Sequence, residues 1–440
     1  MSAAASRRAV LHALALGTAG FALPSWSEAS LSTVGGTAAE LPPALRVRVV
    51  QSRSMLQSAV ATARPGDHIV LAAGVYTGDA LSVGASGTAP FPIVIRAASL
   101  LGSEVRFPIT LAGDRIILWG VRFSGESGKV AVTGHHDSVL RCAFAGWGAG
   151  NAVRLGHGGS HGQVRYCRFD TPGPWTEAEL AGASHGMRLG IRVVGRRTTF
   201  HRNARITHCL FGRTLARPIP GRYDSGQTDW IEVGENGAYY RGVYADATIE
   251  KCLFDGHPDP NASGVLDIKI SGVTVRQCTF QNAPTGRLDI RYGEGCRLIA
   301  NYFRRTAAGL AVAGARHVVA GNVCEPGSRL RILAGTMDWH EYVGTGRQRA
   351  QDVRLVGNEG LLVIGDRLGT PTAVFPADGT RIEGHRATIL TQRPYAGRWA
   401  QPARNLLEQN TTYSAATAES LEPAVALGPD EVGPSARWVG

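Results

Sequence analysis

Seven phenylalanines set the period of this chain. Phe123, Phe144, Phe169, Phe211, Phe254, Phe280 and Phe303 are separated by 21, 25, 42, 43, 26 and 23 residues. Five of them close one local phrase: Cys142-Ala-Phe144, Cys167-Arg-Phe169, Cys209-Leu-Phe211, Cys252-Leu-Phe254 and Cys278-Thr-Phe280. A unit of 21–26 residues, with apolar alternation and a polar or glycine corner, is too short to bury a core of its own, so successive units must stack. Each of the two long intervals holds about two coils, or one coil with a large insertion. The predicted fold is all-β, a single right-handed parallel β-helix with inserted loops. Leucine-rich repeats share the period, but their leucine-asparagine consensus is absent.

Equal register makes the five cysteines an inward stack of small apolar side chains beside the phenylalanine stack. Asn301 takes the cysteine position before Phe303, and Asn322 continues the turn. Seven cysteines are an odd number, and this use of thiols as core predicts no disulfide framework.

A second ladder carries charge. Leu266-Asp267-Ile268-Lys269-Ile270 recurs 22 residues later as Leu288-Asp289-Ile290-Arg291-Tyr292. Alternate side chains of a strand share a face, and stacked coils lie about 4.8 Å apart, so Asp267 falls over Asp289 and Lys269 over Arg291 on an outward face. Of 46 basic residues only Lys129, Lys251 and Lys269 are lysines. Arginine stays charged, whereas burial or a neighbouring cation lowers a lysine's pKa until it serves as a base. A surface lysine paired with Asp267 explains the spacing equally well. Val153-Arg154-Leu155-Gly156, Ile231-Glu232-Val233-Gly234 and Leu310-Ala311-Val312-Ala313 read as further rungs of this face, with Ala311 leaving room in a groove. Loops at 170–186, 212–230, 235–246 and 255–263 would wall it, carrying Trp175, Tyr223, Trp230, Tyr239 and Tyr240 for stacking on sugar rings or for ordinary loop packing. Candidate substrate contacts are Glu232, Tyr240, Arg241, Asp267, Tyr292 and Arg331; His185, His201 and His257 receive no role.

The ends read differently. Residues 1–29 fit a twin-arginine export signal: Ser6-Arg7-Arg8-Ala9-Val10-Leu11, an apolar run to Leu23, and the small-x-small site Ser27-Glu28-Ala29. That run is well short of the roughly 20 residues a membrane span needs, and no later segment is long enough. A periplasmic or secreted protein is expected, exported folded, with reduced cysteines. Residues 30–45 form a lead, 46–390 the β-helix body and 391–440 a segment wrapping its outside. A helix over 54–63 would cap the open apolar end. The net charge of +11, with a pI near 9.6, favours an anionic partner. Because the basic residues are scattered rather than run together, and because the chain reads as exported, the expected partner is an acidic polysaccharide rather than nucleic acid. The molecule is expected to be a monomer.

Several phrases together resemble polysaccharide lyase family 6, the chondroitinase B and alginate lyase group. They are Leu56-Gln-Ser-Ala-Val60, Ala63-Arg-Pro-Gly-Asp67, Gly74-Val-Tyr76 and Gly87-Thr-Ala-Pro-Phe-Pro-Ile93 near the start. Ile268-Lys269-Ile-Ser271, Leu288-Asp-Ile-Arg291-Tyr-Gly293, Asn301-Tyr-Phe303 and Glu431-Val-Gly-Pro434 follow. The resemblance runs from about residue 46 to 436 and is most specific at the lysine and arginine strands. It implies β-elimination on a uronic-acid polymer, alginate first, with Lys269 as base and Arg291 protonating the leaving oxygen or stabilising its charge. A cation stacked on Lys269 would lower its pKa toward the working range.

Three departures accompany the resemblance. The family often holds calcium on glutamates upstream of the lysine, where this chain has Asn261-Ala-Ser-Gly-Val265. Glu232, Asp259, Asn261 and Asp267 offer oxygens to a hard cation, but they match the pattern poorly, and the expectation is no cofactor, with arginine neutralising the substrate. Tyr292 stands where the family has histidine, and Gly309-Leu-Ala311 lacks an arginine of a later coil. Two other readings stay open: a β-helix glycoside hydrolase using Asp267 and Asp289, at about 5 Å the retaining separation, and a polysaccharide-binding β-helix without catalysis.

Overall fold

Strands of three residues are stable here because nearly every one is paired on both sides. In the computed structural model one coil runs through Val130–Val132, Ser138–Leu140 and Ala143–Ala145, and each of these strands belongs to a different sheet. The structure describes residues 41–391 except 157, 171, 174–187, 196–197, 213–228, 236–241, 257–263, 285, 307–308, 336–348, 367–376 and 387–388. It also describes 406–407, 424, 426–428 and 431–432. Among these residues the coils build parallel sheets of 14, 12 and 10 strands, with two further short strands paired apart. This is the parallel β-helix that the period implies, right-handed as parallel crossovers are. The export signal, most of the lead and most of the C-terminal segment lie outside the described residues. Leu406–Leu407 nevertheless extends the first sheet beyond residue 390, and the Leu427 N–H reaches back to Thr279 Oγ1 at 2.8 Å.

The phenylalanine register is realised as one continuous stack. Rings from Phe123 to Phe303 follow one another at centroid distances of 4.6–5.0 Å and within 11° of parallel. Phe169 pairs directly with Phe211, and Phe211 with Phe254, so each long interval is one coil with an insertion. Beyond the stack the same position holds Val105 and Tyr76 on one side and Cys324 on the other. Each aromatic contact adds about 1 kcal/mol to the burial of its rings.

Between the first and third sheets the chain turns through one left-handed residue per coil. Arg141, Tyr166, His208, Lys251, Gln277 and Ala300 have φ of 51–54°, at a steric cost of roughly 1 kcal/mol each. The buried residue that follows offsets part of it. Cys142, Cys167, Cys209, Cys252 and Cys278 point inward, their thiols directed at backbone carbonyls, and all seven cysteines are buried and unpaired. Asn301, Asn322 and Asn358 then continue the column as an amide ladder. Asn322 Oδ1 accepts from the Asn301 backbone and side chain at 3.0 and 2.9 Å, and its Nδ2 donates to Leu298 O and Asn358 Oδ1, each at 2.9 Å. Replacing Asn322 with Ala should cost about 3 kcal/mol, because several buried partners lose their bonds at once. Urea denaturation would show it as a lower midpoint at unchanged slope, and a midpoint equal to wild type would mean that water repairs the ladder.

The capping helix is Arg53–Ala61, starting a residue before the sequence estimate and ending two earlier. Ser52 Oγ accepts from the Met55 N–H at 3.2 Å, which fixes that start. Leu56, Ala59 and Val60 are buried, so one helical face closes the apolar end of the coils.

Candidate active site

The second sheet carries the charged ladder. Its outward column runs Ser82, Thr110, Ala131, Arg154, Arg192, Glu232, Asp267, Asp289, Ala311, Arg331 and Val363, one residue per coil. Ser82 to Arg192 are at least partly exposed, whereas Glu232 to Ala311 are buried. The reading of Ala311 as open room in a groove is therefore corrected. It is fully buried and clusters with Ala313 and Leu333 on the outward side. The Arg192 rung lies between those of Arg154 and Glu232, which are not successive.

Lys269 and Arg291 each follow the end of their strand and meet at one carboxylate. Lys269 Nζ lies 3.3 Å from Asp267 Oδ2, and Arg291 Nε lies 3.2 Å from the same oxygen. Lys269 also donates to Glu232 Oε2 at 2.6 Å, while Arg192 Nε holds Glu232 Oε1 at 2.8 Å. Asp289 lies 3.4 Å from Arg291 Nε and accepts from Arg287 Nη2 at 2.8 Å. The ion-pair reading of Asp267 and Asp289 is what the geometry shows. Both carboxylates are buried and already bound by cations, which suits them poorly to the paired roles of a retaining hydrolase.

The cluster also sets the protonation of its members. Burial lowers the pKa of Lys269, but Asp267 and Glu232 more than offset this, and the net direction is upward. That corrects the expectation of a lysine depressed by Arg291: the two carboxylates outweigh the one cation. Arg291 is raised, chiefly by Asp267, and stays a cation. Asp229 is pushed well above the usual carboxylate range by burial, and then by the charges of Asp267 and Glu232.

Carboxylate oxygens of Asp229, Glu232 and Asp267 all lie within 4.8 Å of one another, and Asp267 Oδ1 has no hydrogen-bond partner. These are hard oxygens of the kind calcium takes. The cation position is already filled, however, since the Lys269 ammonium sits against two of the three carboxylates. The donor set fits a metal poorly while that ammonium stays in place. Asp259 and Asn261 lie outside the described residues.

Of the other sequence candidates, Tyr292 is half-buried beside Arg291. Arg331 lies two coils beyond Asp289, 3.5 Å from Asp366. Tyr240 and Arg241 lie outside the described residues, as do Trp175, Tyr223, Tyr239, His185 and His257. Trp230 is corrected from groove wall to core. It is fully buried, donates to Gly256 O at 3.0 Å and packs against Phe211. His201 is likewise internal, accepting from the Gly162 N–H at 3.1 Å.

Sequence reasoning missed Arg192, Asp229 and Arg287. Ile191-Arg192-Val193 repeats the apolar-charged-apolar triplet of its neighbours, but a 40-residue separation from Glu232 hid the register. Arg287 lies two residues before Asp289 and shares its face. Asp229 precedes its strand in a stretch without periodicity and left no signal.

The model of the chondroitinase B family matches residues 50–329. Among solved structures, the chain is similar to the PL6 family polysaccharide lyase Pedsa3628 from Pseudopedobacter saltans. Identity there is 17% and the TM-score 0.61, over 89% of this chain and 99% of that one. It is also similar to the PL6 family alginate lyase AlyGC, at 16% identity and a TM-score of 0.66, over 88% of this chain and 58% of AlyGC. A mannuronic acid specific family 6 lyase from human gut microbiota gives 16% and 0.52, over 79% and 82%. At these identities the structural likeness shows the fold. No curated protein matches the chain.

Proposed function

Because the chain belongs to the chondroitinase B family of polysaccharide lyases, we propose that it cleaves a uronate-containing polysaccharide, alginate first, by β-elimination at Lys269 and Arg291. The observation that carries this is their convergence on Asp267 Oδ2, at 3.3 and 3.2 Å, from adjacent coils. Asp267 holds a basic nitrogen and a fixed cation together, where a single sugar meets both.

In this reading Lys269, once deprotonated, takes the proton from C5 of the uronate. The electrons of that bond form the C4–C5 double bond, and the bond from C4 to the glycosidic oxygen breaks. Arg291, held as a cation by Asp267, pairs with the substrate carboxylate or the departing oxygen and lowers the energy of the charge that develops. It is too weak an acid to give up a proton, so the leaving oxygen takes one from the new Lys269 ammonium or from water. No metal is required in this account, since arginines and the lysine itself neutralise the site. If residues 1–29 act as an export signal, the polymer is met outside the cytoplasm.

The test is the ultraviolet absorbance of the unsaturated uronate, followed on polymannuronate, polyguluronate and dermatan sulfate with and without chelator. A rise on at least one polymer that survives chelation is expected. Loss of the signal with chelator would remove the metal-free account. Reducing ends released without absorbance would mean hydrolysis, and silence in both would leave a binding protein.

A further inference from the structure

The outward face of the second sheet has an open limb and a closed one, and a lone arginine stands on the open limb. Arg154 lies between Ala131 and Arg192 in the outward column, with Thr110 and Ser82 beyond Ala131. None of the three residues on that side carries charge. Arg192 is committed to Glu232 at 2.8 Å and to Glu235 at 3.1 Å. Among the described residues Arg154 has no such partner, and its buried Nε lacks any acceptor.

The direction of the side chain adds to this. Arg154 Nε lies 3.5 Å from where a Cβ on Gly156 would be. Gly156 belongs to the lengthwise row that runs from Ala112 and Thr133 through Gly156, Val194 and Gly234 to Lys269 and Arg291, as the matching backbone bonds of these residues show. The guanidinium therefore lies over the same row as the candidate catalytic pair. Three coils separate Arg154 from Lys269, about 14 Å at the usual strand spacing.

We propose that Arg154 is a remote anion subsite that pairs with a second carboxylate of the same uronate chain, several sugars from the bond being cleaved. Guanidinium and carboxylate match as planar partners and form two parallel charge-assisted hydrogen bonds. Among the described residues the outward column on the Ala131 side, Ala131, Thr110 and Ser82, holds no acidic side chain that competes for the guanidinium. The polymer would then lie along the partly exposed coils from Ser82 to Arg192, with the reacting sugar at the buried cluster. The inference rests on the uronate-lyase reading and adds a direction and a minimum length to its substrate.

The experiment compares Arg154→Gln with wild type on a trisaccharide and a hexasaccharide of the preferred uronate. A trisaccharide bound at Lys269 falls short of Arg154, so the ratio of the hexasaccharide KM to the trisaccharide KM should rise about tenfold, the loss of one charged hydrogen-bond pair. An unchanged ratio would overturn the subsite. Calorimetry on Lys269→Arg protein, with and without Arg154→Gln, reads hexasaccharide binding without turnover. A tenfold weaker Kd there supports the subsite even if no polymer is cleaved, and equal affinity removes it.

Discussion

Lys269→Arg should fold like wild type and lose at least a hundredfold, up to about ten-thousandfold, of its lyase activity. The two outcomes separate because the substitution keeps one function and removes the other. Guanidinium can still pair with Glu232 and Asp267, which lie 2.6 and 3.3 Å from Nζ in the native protein. It cannot release a proton at any working pH, so it cannot be the base. Lys269→Ala is the less informative variant, since Glu232 and Asp267 would each lose one of their two cations and the fold would be weakened along with the chemistry. The pH profile supplies an independent check. Because Lys269 is raised by its carboxylates, the resting protein holds the inactive ammonium. Its kcat/KM should climb toward alkaline pH as that proton is lost. Glu232→Gln removes one of the two raising charges, so the climb should move to lower pH. A Lys269→Arg protein that retained wild-type rates, or a climb that stayed in place in Glu232→Gln, would assign the base elsewhere.

The sequence made the scaffold legible because a solenoid repeats its packing in one dimension. Phe123 to Phe303 share one inward position, so their spacing is the coil length, and the same spacing puts Asn301 in the cysteine column. The lysine and arginine strands were legible for the same reason, being 22 residues apart with no insertion between them. Arg192 was not, since the insertions around it break the spacing on both sides. The state of Lys269 was also hidden. Sequence spacing placed Arg291 beside it and suggested a depressed pKa, but Asp267, joined by Glu232 reaching in from the previous coil, reverses the sign. Burial of Ala311 belongs to the same class, because a small side chain in a repeat says nothing about what covers it.

Asp137→Asn should stabilise the protein above about pH 4, with a gain that grows up to about pH 8. Asp137 is fully buried, its Oδ1 accepts from the Ile116 N–H at 2.8 Å, and its Oδ2 has no partner. Burial raises its pKa from 3.8 to about 8; the Ile116 bond opposes the shift and the charge of Asp114 adds to it. The unfolded chain therefore releases this proton near pH 4, while the folded protein keeps it to about pH 8. Between those values the folded state binds more protons, so stability falls as the pH rises, by about 1.4 kcal/mol per unit for a single group. Below that window the aspartate costs nothing, and above it the penalty is constant. Asparagine keeps the acceptor for Ile116, is neutral at every pH and removes this slope. The difference in unfolding free energy between variant and wild type, measured by urea denaturation at pH 5, 6, 7 and 8, cancels every other titrating group. It should widen steadily across the series. Parallel curves would mean that Asp137 ionises in the folded state with water or a cation beside it, and that the interior at this corner is wetter than the packing around Gly134 and Ile116 implies.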